Sequence, residues 1–251
     1  MAENVTETKV EILTADGVAD GFLFHAEGSR NPGVIHLTDI GGIRPAQNQM
    51  ARRLAEQGYT VLVPNIFYRT RRPPVLEYPL KQGEEVAKRM AELTTPLTPE
   101  AIERDAKGYV DFLTSQAATF DGPIGVVGYC FSGAMAMRIA AAFPDRVVAV
   151  ATFHAGRLFV DTTESPHLLL PRIKGSLYFG HAVQDKSMPQ EAIEKLEGAL
   201  RGWGGKFESE TYEGAFHSWT TLDSPIYNQP QAERAFAKLT ELFSSSLRSA
   251  P

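Results

Sequence analysis

A single cysteine, Cys130, occurs in 251 residues, so no internal disulfide can form. That scarcity fits a reducing compartment and leaves one thiol free for chemistry. Basic charge is also short: 25 Lys and Arg against 30 Asp and Glu give a net charge of -5, which offers no field for a nucleic-acid backbone. Nucleic acid is excluded as an expected partner. No apolar stretch approaches the roughly 18 residues that cross a bilayer, and Met1 to Lys9 is polar with no apolar signal core. The expectation is a soluble, cytoplasmic protein with no membrane partner, working as a monomer or homodimer. Asn4-Val5-Thr6 matches a glycosylation sequon, read as chance in the absence of a secretion signal. No closely spaced His or Cys pair supplies metal ligands, Gly125 to Gly133 lacks the dinucleotide spacing, and no Walker loop occurs. No metal and no cofactor are implied.

What is present is a chain able to bury a large core: 43% of its residues are hydrophobic, and its length suits one large α/β domain. Val10-Glu11-Ile12-Leu13 and Gly21-Phe22-Leu23-Phe24, joined around Asp16-Gly17, predict two antiparallel strands. Further strands are expected over Gly33 to Leu37, Thr60 to Pro64, Ile124 to Gly128, Val147 to Phe153, Ser176 to Gly180 and Phe207 to Tyr212. Helices are expected over Ala46 to Gln57, Glu100 to Ser115, Ala134 to Ala142, Gln190 to Arg201 and Gln231 to Phe243; Thr98-Pro99 supplies a cap and a first-turn proline for the second. Strands alternating with helices imply one α/β domain over 1–251, with a mostly parallel sheet of about eight strands and helices on both faces. Residues 71–99, rich in proline and charge, are expected to form a loop or cap near the edge of the sheet where ligands bind.

The thiol stands in Gly128-Tyr129-Cys130-Phe131-Ser132-Gly133, between a buried strand and a small-residue helix. A lone cysteine is more often a small buried hydrophobe than a nucleophile. Here, however, small residues two before and two and three after it permit the sharp strand-to-helix turn of a nucleophile elbow. That turn would lift the thiol to the positive end of the following helix, which favours a thiolate. Such chemistry needs a histidine and an orienting acid. The chain order Cys130, Asp185, His217 matches nucleophile, acid, histidine, and both partners follow predicted strands. Asp185 could instead cap the helix near Pro189, and His217 could be a surface loop residue. Two backbone N–H groups are placed to receive an oxyanion: Phe131, directly after the thiol, and Ile40, in the glycine-rich turn Thr38 to Gly42.

These segments, with Pro64-Asn65-Ile66-Phe67-Tyr68-Arg69, Gln184-Asp185 and Phe216-His217-Ser218, resemble the dienelactone hydrolase (carboxymethylenebutenolidase) family over nearly the whole chain. The resemblance implies an α/β-hydrolase fold and a Cys-Asp-His triad that opens a cyclic enol lactone through an acyl-thioester. It implies that Cys130 attacks the carbonyl, His217 acts as base and Asp185 holds the imidazole tautomer. It further implies that Asp39 contacts the resting thiol and that Arg69 takes a substrate carboxylate, with Arg71 and Arg72 nearby. Tyr68, Ser218, Trp219 and His154 are expected to line the substrate pocket. This chain departs from the family in having Asp39 for a glutamate, Ser132 for a glycine, and Thr221 where a second arginine would follow the histidine. The activity expected is hydrolysis of lactones or small carboxylic esters. The alternatives are a non-catalytic small-molecule binding protein on the same fold, or a thiol hydrolase acting on other electrophiles such as activated phosphoesters.

Overall fold

The computed structural model describes residues 4–248 apart from 79 and 82. Residues 1–3 of the polar N-terminal segment and two positions of the 71–99 segment thus lie outside the described residues. Two compact units divide the chain between Gly122 and Pro123.

In the first unit, β1 (Val5–Thr14) and β2 (Gly17–Ala26) form an antiparallel hairpin longer than the apolar cores of those strands suggest. The polar outer residues of β1 extend it, because a hairpin strand needs only one buried face. β2 then pairs antiparallel with β4 (Thr60–Pro64), and β4 pairs parallel with β3 (Gly33–Leu37). Every residue of β3 and β4 is buried, as the Val, Ile and Leu of these two strands need when both faces are covered. Two helices, α1 (Pro45–Ala55) and α3 (Pro99–Ser115), pack on these strands. The Thr98 hydroxyl caps α3 by accepting from the Ala101 N–H at 3.2 Å.

Between them lies a difference from the sequence-based expectation: 71–99 is not all loop, since α2 spans Glu84–Thr94. Its preceding prolines mask it. Only Leu93 is buried, so local terms support the helix: Glu84 and Glu85 at its positive end and an Arg89–Glu92 pair at 2.6 Å.

The second unit alternates regularly: β5 (Ile124–Tyr129), α4 (Ser132–Ala142), β6 (Val147–Phe153), β7 (Ser176–Ala182), α5 (Gln190–Trp203), β8 (Phe207–Tyr212) and α6 (Gln229–Leu247). A 3-10 turn, Pro166–Arg172, interrupts the link from β6 to β7. The four strands run parallel in the order β5-β6-β7-β8, with α4 packed on β5 and β6, and α6 on β5, β6 and β7. Among the described residues, eight strands and six α-helices, with four of the six described pairings parallel, make this an α/β protein of mostly parallel strands. Because its strands are parallel, the second unit gathers their carboxyl ends at one edge, where ligands bind in open α/β sheets.

Candidate active site

At the end of β5 the chain turns sharply, and Cys130 takes φ 59°. A left-handed residue with a side chain is strained by about 1–3 kcal/mol, so neighbours must hold it. They do so through the backbone. The Cys130 N–H donates to the Phe153 carbonyl at 3.1 Å. The Ser132 hydroxyl both accepts from the Tyr129 N–H and donates to the Tyr129 carbonyl, each at 2.9 Å. Gly128 is required by space, because a Cβ there would lie 2.5 Å from the Ser132 carbonyl oxygen. The result is a half-buried thiol with Phe131 at the N-cap of α4, next to the positive end of that helix.

Asp185 follows β7 and His217 follows β8, and the loops that carry them are joined by the Val183 N–H to Ala215 carbonyl bond at 2.8 Å. His217 Nδ1 lies 2.7 Å from Asp185 Oδ2, and its Nε2 lies 3.1 Å from Cys130 Sγ. The imidazole is 32% exposed and the carboxylate 5%, so the row runs from a sheltered acid to a reachable sulfur. All five described non-glycine residues with positive φ fall in this unit: Cys130, His154, Arg157, Gln184 and Ser218. Three of them are the thiol itself and the neighbours of Asp185 and His217. Backbone strain is thus concentrated around these three side chains.

Burial opposes charge on His217 and is the largest single influence, but hydrogen bonds to Asp185 and Cys130 outweigh it and push the imidazole up to about 10. For Asp185, burial likewise acts first and upward, yet the bonds from His217 and Ser187 leave the carboxyl below its usual range. An imidazole bonded to a carboxylate on one side and a thiol on the other can move a proton between sulfur and a reacting group.

The other expected residues fall differently. His154 and Trp219, expected to line the substrate pocket, are both fully buried. His154 instead lies edge-on to His217, ring centroids 5.3 Å apart, and packs against Trp219 at 5.1 Å, while its Nε2 sits 2.8 Å from the Thr220 hydroxyl. Burial holds its imidazole well below 6.5 and therefore neutral. Ser218 is half-buried beside His217, with φ 78°.

In the first unit, Ile40 is buried in the turn after β3. Asp39, expected to act on the thiol, has both oxygens taken within its own unit. They accept from Arg44 at 2.6 and 2.9 Å, from Gln47 at 3.1 Å and from the Gly41 N–H at 2.9 Å. Gln47 in turn accepts from His36, at 2.8 Å. Arg69, expected to take a substrate carboxylate, is a fork already filled by Asp105 at 2.6 and 2.8 Å and by Asp16 at 2.5 Å. Tyr68 donates to the same Asp105 at 2.8 Å. Neither Arg71 nor Arg72 is buried, and Arg72 pairs with Asp20 at 3.3 Å.

Sequence reasoning took Ser132 only as a small residue of the elbow and not as the hydroxyl that closes it, and it passed over Ser187, whose N–H and hydroxyl both bind Asp185. The spacing Asp-x-Ser, typical of a turn in which the acid caps its own backbone two residues on, was the available signal for the second. Among the described residues no group of three or more His, Cys, Asp or Glu could hold a metal ion, and no helix is long and apolar enough to cross a membrane.

A model of the dienelactone hydrolase family matches residues 19–247. The carboxymethylenebutenolidase of Rhodococcus opacus is 30% identical over 199 residues, covering 78% of this chain and 73% of that protein. A dienelactone hydrolase-like promiscuous phosphotriesterase from metagenomic libraries superposes with a TM-score of 0.78 at 21% identity, covering 96% of this chain and 98% of the other. A dienelactone hydrolase from Anabaena variabilis gives 0.68 at 20% identity, covering 97% and 99%. With these structures the chain shares the α/β-hydrolase fold. On the family match over nearly all of its length, the chain belongs to the dienelactone hydrolase family of hydrolases.

Proposed function

We propose that the protein is a cofactor-independent hydrolase of lactones or small carboxylic esters in which Cys130 is the nucleophile, His217 the proton carrier and Asp185 the acid that orients it. The observation that carries this reading is the alignment of Sγ, imidazole and carboxylate at 3.1 and 2.7 Å on three different loops of one sheet edge.

In this reading His217, pushed up to about 10, takes the proton of the Cys130 thiol across the 3.1 Å contact between Sγ and Nε2. The thiolate attacks the carbonyl carbon, and the π pair moves to oxygen. The N–H of Phe131, at the start of α4, is the donor this reading assigns to that oxyanion. As the tetrahedral species collapses, the carbon–oxygen bond breaks and His217 Nε2 gives its proton to the departing alkoxide. In a lactone that alkoxide remains tethered to the acyl group. The now neutral imidazole takes a proton from water as the water attacks the thioester. The carbon–sulfur bond then breaks, releasing the acid, and His217 returns its proton to Cys130 Sγ.

The test is hydrolysis of an activated phenyl ester and a lactone panel by the wild type and by Cys130→Ala. The variant should lose at least about 10³-fold in kcat/KM; equal turnover by both proteins would defeat the proposal. Because one structural relative is described as a promiscuous phosphotriesterase, an activated phosphotriester belongs in the same panel. Thiol-dependent turnover of that substrate alone would reassign the reaction to phosphorus.

A further inference from the structure

The acid of the row is itself held in a second grip. Asp185 Oδ1 accepts from the Ser187 N–H at 2.8 Å and from the Ser187 hydroxyl at 2.6 Å, while Oδ2 faces His217. The residue is only 8% exposed, so water is poorly placed to replace either donor. Ser187 is fixed in turn by the segment after β6: its carbonyl accepts from the Arg157 N–H at 2.8 Å. Gly156 leaves the room. A Cβ there would stand 2.5 Å from the Ser187 hydroxyl oxygen and 2.7 Å from its Cβ. The turn closes with the Met188 N–H donating to the Asp185 carbonyl at 3.1 Å.

We propose that Ser187, seated against Gly156, is a positioning residue that fixes the rotation and the ionised state of the Asp185 carboxylate and so aims Oδ2 at His217. A carboxylate can turn about its own axis and present either oxygen. Two donors on Oδ1 remove that freedom and leave one oxygen for the imidazole. Hydrogen bonds to the charged form also favour that form, so loss of the hydroxyl raises the pH at which Asp185 takes a proton. The titratable groups facing Asp185 are His217, bonded to it, and the buried imidazoles of His154 and His181, both held neutral by loss of solvation.

This inference rests on the proposed roles of Cys130, His217 and Asp185, so the test has a part that needs no turnover. Carboxyl carbon NMR of Ser187→Ala should show the Asp185 midpoint raised by about one pH unit. In the ester assay, kcat should fall about tenfold with KM unchanged, and the acid limb of the profile should move upward with the carboxyl. Gly156→Ala, which displaces the hydroxyl without removing it, should shift the midpoint in the same direction. In an Asp185→Asn background, adding Ser187→Ala should change kcat by less than about twofold, since both substitutions break one chain of contacts. An unmoved carboxyl midpoint, or full additivity in the double variant with all proteins equally folded, overturns the proposal. If the wild type hydrolyses no ester or lactone, the functional reading fails while the carboxyl titration still decides the role of Ser187.

Discussion

Replacing Gly128 by alanine puts a methyl group where three backbone atoms already stand. The new Cβ would be 2.5 Å from the Ser132 carbonyl oxygen, 2.8 Å from its carbon and 2.9 Å from the Gly133 Cα. None of these can rotate away as a side chain could, so the first turn of α4 must shift outward. Gly133 limits that shift, because its Cα hydrogen already faces Ala155, where a Cβ would come within 2.4 Å. Overpacking of a buried site costs about 1–3 kcal/mol, and a rigid partner puts this case near 3. For a domain of this size, about 2–4 °C is lost per kcal/mol, so the melting temperature should fall by about 6–12 °C. Displacing the sulfur by an ångström from its line with His217 should lower kcat about 100-fold. Gly198→Ala is the matched control: it lies in α5 with nothing within 4 Å of the added methyl, and should stabilise by about 0.5–1 kcal/mol with activity unchanged. Thermal unfolding and steady-state ester hydrolysis read both variants. A Gly128→Ala protein with wild-type melting and wild-type kcat would refute the account of the elbow.

Other outcomes follow from the same contacts. Ser132→Ala removes both hydrogen bonds that close the elbow, and should lower stability by about 1–3 kcal/mol in urea unfolding. Arg44→Met takes the paired cation from the buried Asp39 carboxyl while leaving the bonds from Gln47 and the Gly41 N–H, and should cost about 3 kcal/mol by the same assay; an unchanged midpoint would contradict it. Loss of solvation holds buried His36 and His181 down to about 4. The unfolded chain therefore binds more protons between pH 6.5 and 4, and stability should drop by about 3 kcal/mol for each as pH falls through that window. His217, raised to about 10, acts in the opposite sense: its contribution is complete below pH 6.5 and is lost as pH rises toward 10. Urea midpoints should therefore decline on both sides of neutrality, with the acid decline reduced in His181→Asn; a flat profile from pH 4.5 to 6.5 would contradict the burial argument.

The thiol's turn was legible because its causes are local. Gly128, Ser132 and Gly133 lie within five residues of one another, and small residues at those positions permit only a few backbone paths. The strands could be read for a similar reason, since Val61 to Val63 and Val126 to Val127 are apolar without interruption and must be covered on both faces. Helix α2 was not legible, because it buries one residue and its charged surface resembles that of a solvated loop.

Side-chain partners were the harder part. Arg69 meets Asp105 across 36 positions, and Asp39 meets Arg44 only because the turn Gly41-Gly42 folds the chain back. An arginine placed by motif looks free in sequence until its carboxylate is seen. His154 illustrates the reverse: its strand-end position suggested a pocket residue, and the structure shows it buried, edge-on to His217 and Trp219.

The central claim is that the Cys130 sulfur becomes covalently acylated and that His217 then discharges it. Mixing the enzyme with a slowly deacylated activated ester, quenching in acid and weighing the intact protein tests this most directly. The account predicts a mass increase of one acyl group, mapped to the peptide containing Cys130, absent from Cys130→Ala and longer-lived in His217→Ala. Steady hydrolysis with the acyl group on another residue, or undiminished hydrolysis by Cys130→Ala, would contradict it.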